Sequence, residues 1–310
     1  MKKVSEEREE NVQNDRAEKC DYDSAWKEVL KKLFKDCFEF FFPEIHDAID
    51  FTKEIVFLDK ELNEIQPGSS QGDREADILA RVHLRDGSIN YICLIIHVEV
   101  QSQERSDFME RMFIYYYRAF DKEKKEKIPV ISLAILTDDN KNFRPNTFKF
   151  SFCGFEIKMK IPMVKILDYK SKPKLKKKLE NSTNPMALVV KAQLKSLEVK
   201  RLNNEAKFEV ENELIRECYR MKYSKENIRT LISFIDWVIR LPEAYKGLVL
   251  KVIKETEEET KMEYVPIWAR DIRQEGKSEG IAEGNKKTKE AIERMLNDGL
   301  RIETIATYFG

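Results

Sequence analysis

Two short stretches that mix apolar and polar residues decide the fold of this chain: residues 76–82 (ADILARV) and residues 96–101 (IHVEVQ). Both read as β-strands, and the Asp86-Gly87 pair between them is typical of a hairpin turn. Side chains alternate between the two faces of a strand, so Glu99 and Gln101 share a face. If the strands pair around this turn, Asp77 lies across the ladder from Glu99. Two carboxylates and an amide then meet at the end of a half-buried sheet.

Such a carboxylate pair needs a cation, and hard oxygen ligands suit Mg²⁺ or Mn²⁺. Asp77 and Glu99 are therefore candidate metal ligands and catalytic acids, and the backbone carbonyl of Val100 is a third candidate ligand. Gln101 would orient water or a scissile phosphate, although a neutral amide cannot act as a base. His97 shares their face by parity and is a water shuttle, a third metal ligand or a satisfied half-buried histidine. The alternative interpretation is that all these residues simply face solvent.

Composition limits the classes of partner. The 310 residues carry 56 basic and 56 acidic side chains, so no global field attracts the chain to nucleic acid or to a membrane. Five scattered cysteines without a CxxC spacing indicate reduced thiols. The charged residues that follow Met1 predict no signal peptide, and the apolar runs are too short to predict a membrane span. We therefore expect a soluble cytoplasmic protein without membrane contact.

The pattern predicts an α/β (α+β) half followed by an all-helical half. The predicted domains are a disordered lead-in over 1–20, a core over 21–172, a helical region over 173–262 and a Glu-Gly-repeat tail over 263–310. The core is predicted to contain a helix over 25–42, a strand over 54–62, the two strands quoted above, a helix over 107–120, a central strand over 128–137, an edge strand over 147–159 and a short strand over 163–167. Helices are predicted over 174–180, 184–200, 204–222, 225–239 and 242–258.

The segment from Asp77 through Glu99-Val100-Gln101-Ser102-Gln103 to the helix MERMFIYYYR (109–118) resembles the PD-(D/E)XK nuclease family transposases, the Rpn group of recombination-promoting nucleases. The resemblance is carried by the aspartate strand, the Glu-x-Gln-Ser strand end and the helix that follows. The helical second half and the Glu-Gly repeat of the tail are also typical of bacterial members. The specific motif spans about residues 75–120.

The resemblance implies a restriction-endonuclease-like core with a mixed central sheet flanked by helices. It implies that Asp77 and Glu99 bind Mg²⁺ or Mn²⁺ and that the chain is a DNA endonuclease linked to transposition or recombination. Gln101 occupies a position that is usually lysine, so a catalytically weak or inactive scaffold that binds DNA or protein is the alternative. Glu28 is the candidate for the acidic residue that the first core helix often adds; its other interpretation is a solvated helix face.

DNA contacts are expected at two places. Arg111, Tyr115 and Arg118 share one stripe of a helix, where the arginines either hold phosphates or pair with nearby acids. The second place is the basic run 170–178 (KSKPKLKKK), with candidate contacts at positions 175 and 177, which are Leu175 and Lys177. A shorter basic run covers 122–127. Charge runs of this kind are otherwise solvated faces.

The tail repeats Glu-Gly with a four-residue period at Gly276, Gly280 and Gly284. A stripe of glycines costs a helix about 1 kcal/mol per residue relative to alanine, unless a second helix packs closely against it. The repeat therefore predicts either a homo-oligomer contact or a weakly helical linker.

Overall fold

The computed structural model describes residues 25–59, 78–85, 93–101, 103–123 and 128–260. In the strand over 93–101 the description covers the backbone and, among the side chains, that of Val100. All these residues belong to one compact unit, Met1–Met262. The predicted lead-in, Asp77, the Asp86-Gly87 turn and the Glu-Gly repeat lie outside the described residues.

The described elements follow in chain order. They are α1 (25–32), α2 (Phe34–Phe41), α3 (Pro43–Ala48), β1 (Val56–Phe57), β2 (Ile78–His83), β3 (Cys93–Gln101), α4 (Phe108–Glu123), β4 (Val130–Leu136), β5 (Thr147–Phe152), β6 (Phe155–Lys160), β7 (Met163–Lys165), α5 (Asp168–Ser171), α6 (Pro173–Asn181), α7 (Pro185–Val199), α8 (Asn204–Arg220), α9 (Lys225–Ile239), a 3₁₀ turn (Glu243–Tyr245) and α10 (Lys246–Thr260).

Five strands form one mixed sheet in the order β1-β2-β3-β4-β7. The pairs β1-β2 and β2-β3 are antiparallel, whereas β3-β4 and β4-β7 are parallel. Strand β4 lies inside the sheet and is almost entirely buried, as its continuous apolar run predicts. The described chain is therefore a mixed α/β protein.

Helix α4 makes the crossover between the parallel strands β3 and β4. Its first turns bury Phe108, Met109 and Met112 against Ala134 and Leu136 at the end of β4. Near its other end, Ala119 packs with Leu79 and Val130. The start of α4 therefore lies over the carboxyl edge of β4, and its last turns lie over the strand's beginning.

The edge strand predicted over 147–159 is wrong as a single strand. Strands β5 and β6 instead pair antiparallel as a separate two-stranded sheet. Cys153 and Gly154 adopt φ values of 46° and 84°, which a two-residue hairpin turn requires. The Cys-Gly pair in the middle of the alternating run is the reason for the reversal.

The helix predicted over 25–42 is interrupted at Leu33 without ending there. Its backbone N–H still bonds to the Val29 carbonyl at 2.8 Å, and the Cys37 N–H bonds to the Leu33 carbonyl at 2.7 Å. Pro43 ends the run, as predicted, and opens α3. The strand predicted over 54–62 is reduced to Val56–Phe57 among the described residues.

The helical region follows the prediction closely. Asn184, Asn203 and Ser224 cap α7, α8 and α9 by accepting backbone N–H bonds. Helix α1 is joined to this region because the Trp26 indole donates to Gln193 Oε1 at 3.2 Å. Over the described ranges, no helix has both the length and the apolar character to cross a membrane.

Candidate metal centre at the carboxyl edge of the sheet

The strand ends that carry the predicted site are in register across the sheet. Glu99 lies opposite Ala134, and Gln101 lies opposite Leu136. Leu136 in turn lies opposite Lys165 of β7. One row of the parallel sheet therefore runs from Gln101 through Leu136 to Lys165, at the edge where ligands bind in open α/β sheets.

The partner strand reaches this edge as well. The last described pair between β2 and β3 joins Ile78 to Val98. Asp77 precedes Ile78 and lies outside the described residues, and the side chains of Glu99 and Gln101 are likewise outside the description. The approach of the two carboxylates therefore stays a prediction. The side chain of Val100 is buried, and ligation by its carbonyl also stays a prediction.

A buried ion pair stands beside this row. Lys165 Nζ lies 2.5 Å from Asp138 Oδ2, and the two side chains are 0% and 3% exposed. The other oxygen of Asp138 accepts the backbone N–H of Asn140 at 2.9 Å. The Lys165 ammonium also lies 5.7 Å from the centroid of the Phe143 ring. Both charges are satisfied, so the pair fixes the loop after β4 to the end of β7.

A second ion cluster fixes the same loop from outside. Arg144 donates from two nitrogens to the two oxygens of Asp168, at 2.9 and 2.5 Å. Lys172 Nζ lies 2.8 Å from Asp168 Oδ2. The bidentate bond from Arg144 is the main reason that the pKa of Asp168 is held below its ordinary value.

The loop that enters α4 joins this edge through polar contacts. Asn140 donates from its amide to Glu104 Oε2 at 2.6 Å. Arg105 Nε lies 3.1 Å from Asp107 Oδ1, and this bond is the main reason that the pKa of Asp107 is lowered. The carboxyl edge of the sheet is thus bordered by ordered charged loops on both sides of β4.

The predicted phosphate-binding stripe lies along α4. Arg111, Tyr115 and Arg118 are all half-buried, and each interacts with neighbouring groups. Arg111 belongs to the turns that pack over Ala134 and Leu136. Arg118 lies seven residues further along the helix, about 10 Å at 1.5 Å per residue. Arg111 therefore lies nearest the Glu99 row, and Arg118 lies towards the opposite end of β4.

Glu28 lies on α1 and is half-buried. The neighbouring Trp26 packs on Phe234 of α9, with ring centroids 5.3 Å apart. Lys27 and Lys31 on the same helix both pair with Asp59. Among the described residues, no hydrogen bond or ion pair joins Glu28 to the carboxyl edge, so its catalytic role stays a prediction.

The basic run over 170–178 presents fewer free cations than its sequence indicates. Position 175 is a half-buried leucine, so a cationic contact predicted at that position is wrong. Lys170 pairs with Glu198, Lys176 with Glu180, and Lys178 donates to the Phe40 carbonyl. Lys177 is exposed on α6 and has no ion-pair partner among the described residues. The shorter run over 122–127 lies largely outside the description.

Sequence reasoning missed the ion pairs that border the site. A usable signal was present, because Asp138 directly follows a buried strand and Lys165 is a single charge within an apolar run (IPMVKIL, 161–167). A charge in such a run is buried only with a partner. Within the part of the chain whose side chains are described, no three His, Cys, Asp or Glu residues form a metal-binding group.

Comparison with known proteins found no match for the chain among protein-family models, among curated proteins or among solved structures.

Proposed function

We propose that this chain is a Mg²⁺- or Mn²⁺-dependent DNA endonuclease of the PD-(D/E)XK class, acting in the recombination or transposition of mobile elements. The observation that carries the proposal is the mixed sheet: an antiparallel β2-β3 pair, then a parallel β4 reached through α4, with Glu99-x-Gln101 closing β3. The sequence resemblance implies a mixed central sheet flanked by helices, and the mixed character of this sheet supports the proposal. Its proposed setting is the cytoplasm, with DNA as the partner.

The register supports the proposed ligand pair. Since Ile78 pairs with Val98, Asp77 and Glu99 would form the next antiparallel pair if the ladder continued by one residue. The donor chemistry fits a hard divalent cation, because two carboxylates and the Val100 carbonyl all offer oxygen. Asp138 is not proposed as a ligand, because its charge is already compensated by Lys165 and its other oxygen accepts the Asn140 N–H.

Each candidate residue would have a separate role in the proposed reaction. Asp77 and Glu99 would hold the cation, which when bound polarises a phosphoryl oxygen and lowers the pKa of water. Gln101 would orient the attacking water or the scissile phosphate by hydrogen bonding. Arg111, at the start of α4, would hold a phosphate near the same edge.

Nicking of supercoiled plasmid tests this proposal. We expect Mg²⁺- or Mn²⁺-dependent nicking that falls at least about 100-fold in Glu99→Gln and in Asp77→Asn, since each removes a ligand charge without changing size. Glu209→Gln is the matched control, because Glu209 is exposed on α8. Equal nicking by wild type and Glu99→Gln would refute the proposed site.

One observation favours the second candidate, a nuclease-derived scaffold that binds DNA or protein without cutting. In the row Gln101, Leu136, Lys165, the only cation is Lys165, and it is buried against Asp138. Within this row, Lys165 is therefore already paired and does not supply the ammonium that Gln101 lacks. Calorimetry with Mn²⁺ separates the two candidate functions. If the chain is a nuclease, wild type binds Mn²⁺ and Glu99→Gln does not. If the chain is a scaffold, neither wild type nor Glu99→Gln binds Mn²⁺.

The variant Gln101→Lys sharpens this choice. If the missing ammonium limits an otherwise complete site, the variant nicks faster than wild type, because it adds positive charge beside the reacting phosphate. An unchanged rate in Gln101→Lys, together with no Mn²⁺ binding in wild type, would favour the scaffold.

A further inference from the structure

The β5-β6 hairpin, called here the ribbon, separates apolar from polar residues by face. Its register pairs Phe148 with Met159, Phe150 with Ile157 and Phe152 with Phe155. The alternate pairs are Thr147 with Lys160, Lys149 with Lys158 and Ser151 with Glu156. One face is therefore entirely apolar and the other is polar.

The apolar face is anchored at one end and exposed at the other. Near the base, Phe148 stacks on Phe113 of α4, with ring centroids 4.6 Å apart, and Met159 packs on the same core. Near the turn, Phe150, Phe152 and Phe155 are 51%, 69% and 56% exposed. Six residues per strand give the ribbon a length of about 20 Å. Three exposed phenylalanines on a projecting tip mark an interaction surface.

The polar face carries an excess of positive charge. This face has three lysines, at positions 149, 158 and 160, and one acid, Glu156. Glu156 Oε1 lies 4.0 Å from Lys149 Nζ. Lys158 and Lys160 are exposed and pair with no acid among the described residues. The charge of this face therefore complements a polyanion.

The ribbon is attached to the edge that holds the candidate metal centre. Its first strand follows the loop that carries Asp138 and Arg144, and its second strand leads into β7 and Lys165. The Ile161 N–H closes the base by bonding to the Asn146 carbonyl at 3.0 Å. The base of the ribbon is therefore fixed to that edge, and its tip lies about 20 Å further along the strands.

We propose that the ribbon binds an unpaired stretch of DNA, with bases stacked on Phe150, Phe152 and Phe155 and phosphates held by the lysines of the other face. The inference rests on DNA being the substrate of the proposed function. Unpaired bases present free faces to aromatic rings, whereas duplex bases are stacked on each other. A flexible single strand reaches both faces of a narrow ribbon, but a lipid surface meets only one and would leave the lysines facing away.

Fluorescence anisotropy with a labelled oligo-dT, in EDTA and with the full chain, tests the ribbon without any cleavage. We expect Phe152→Ala to weaken binding about 5- to 150-fold, the range for one base-aromatic stack. The double variant Lys158→Ala/Lys160→Ala lowers the slope of log K against log salt by about 1.4, at about 0.7 per phosphate on a single strand. Leu248→Ala and Lys254→Ala, two exposed sites on α10, are the matched controls and bind as wild type.

A spectroscopic variant reports stacking directly. The tryptophan of Phe152→Trp is quenched by oligo-dT beyond the change seen in wild type, because a stacked base quenches indole emission. Equal binding by wild type and Phe152→Ala overturns the inference. The inference is also overturned if Phe152→Ala still binds oligo-dT but no longer binds anionic vesicles, or if it still binds oligo-dT but no longer forms a dimer that wild type forms. Since no metal is used, the ribbon can fail while nicking is retained, and it can bind while nicking fails.

Discussion

Two buried acids in this molecule have opposite surroundings. Asp138, at the carboxyl edge of the sheet, is 3% exposed and meets the Lys165 ammonium and the Asn140 N–H. Glu211, on α8 in the helical region, is 0% exposed, and neither of its oxygens has a hydrogen-bond partner among the described residues. Burial is the same in both cases, but compensation of the charge is not.

The difference in surroundings determines how each acid is accommodated in the interior. Burial raises the pKa of Glu211 to about 8, and the nearby Asp236 adds to the effect. Glu211 is therefore mostly protonated at neutral pH, which removes the cost of an isolated buried charge. Asp138 instead meets a cation at ion-pair distance. The sheet edge is held by paired charges, whereas the helical layer tolerates its acid by neutralising it.

The largest expected effect comes from removing the cation at the sheet edge. Lys165→Met keeps the aliphatic stem but leaves Asp138 as an uncompensated buried charge, so we expect a loss of about 3–5 kcal/mol in the free energy of unfolding. Urea denaturation followed by circular dichroism measures it. Replacing both partners, as Lys165→Met/Asp138→Leu, should recover most of the loss, since no charge then remains buried. If the free energy of unfolding of Lys165→Met lies within about 1 kcal/mol of the wild-type value, Asp138 does not need its cation and does not differ from Glu211 in this respect.

The next largest effect is expected for Glu211→Gln. Its free energy of unfolding relative to wild type depends on pH. The folded-state pKa of about 8 lies above the ordinary 4.5, so the folded protein keeps a proton that the unfolded chain releases. Stability is therefore full below about pH 4.5 and falls as the pH rises towards 8. A neutral amide removes this dependence. Relative to wild type, we expect Glu211→Gln to gain about 3 kcal/mol between pH 5 and pH 8.

Unfolding in urea at the two pH values measures that gain. Glu209→Gln, on the same helix but exposed, supplies the control and should not change the pH dependence. If the difference between wild type and Glu211→Gln is the same at pH 5 and pH 8, the carboxyl is ionised at both values and must have a partner.

Periodicity predicted the helical region well because its signals are local. The asparagine and serine caps of α7, α8 and α9 and their apolar spacing are all contained within one helix length. Periodicity predicts one strand where β5 and β6 form two, because the apolar alternation continues through the turn at Cys153 and Gly154. The sequence also identified Glu99 and Gln101 as the end of a strand, and β3 ends at Gln101.

The charged pairs could not be predicted in the same way. Asp138 and Lys165 are 27 residues apart, and Arg144 and Asp168 are 24 apart. Their pairing depends on β4 and β7 lying side by side, which is a property of the sheet order and not of either segment. Glu211 differs, because its burial has a local signal: it precedes Leu214, Ile215 and Cys218 of the buried face of α8 by three, four and seven residues. The lack of a partner for its carboxyl, however, depends on the helices packed around it.

The smallest effect tests the outer ion cluster, where charge is paired but partly solvated. Arg144→Lys replaces a bidentate bond to Asp168 with a single contact, and we expect a loss of about 1 kcal/mol, reduced by the partial exposure of Arg144. Arg144 holds the pKa of Asp168 below its ordinary 3.8, so this contribution is present above about pH 4 and is lost as the pH falls through the lowered pKa. Carboxyl-carbon NMR titration should show the pKa of Asp168 rising towards 3.8 in the variant. An unchanged pKa would mean that Lys172 alone stabilises the charge, and the paired edge would then depend on its buried pair, Asp138 and Lys165.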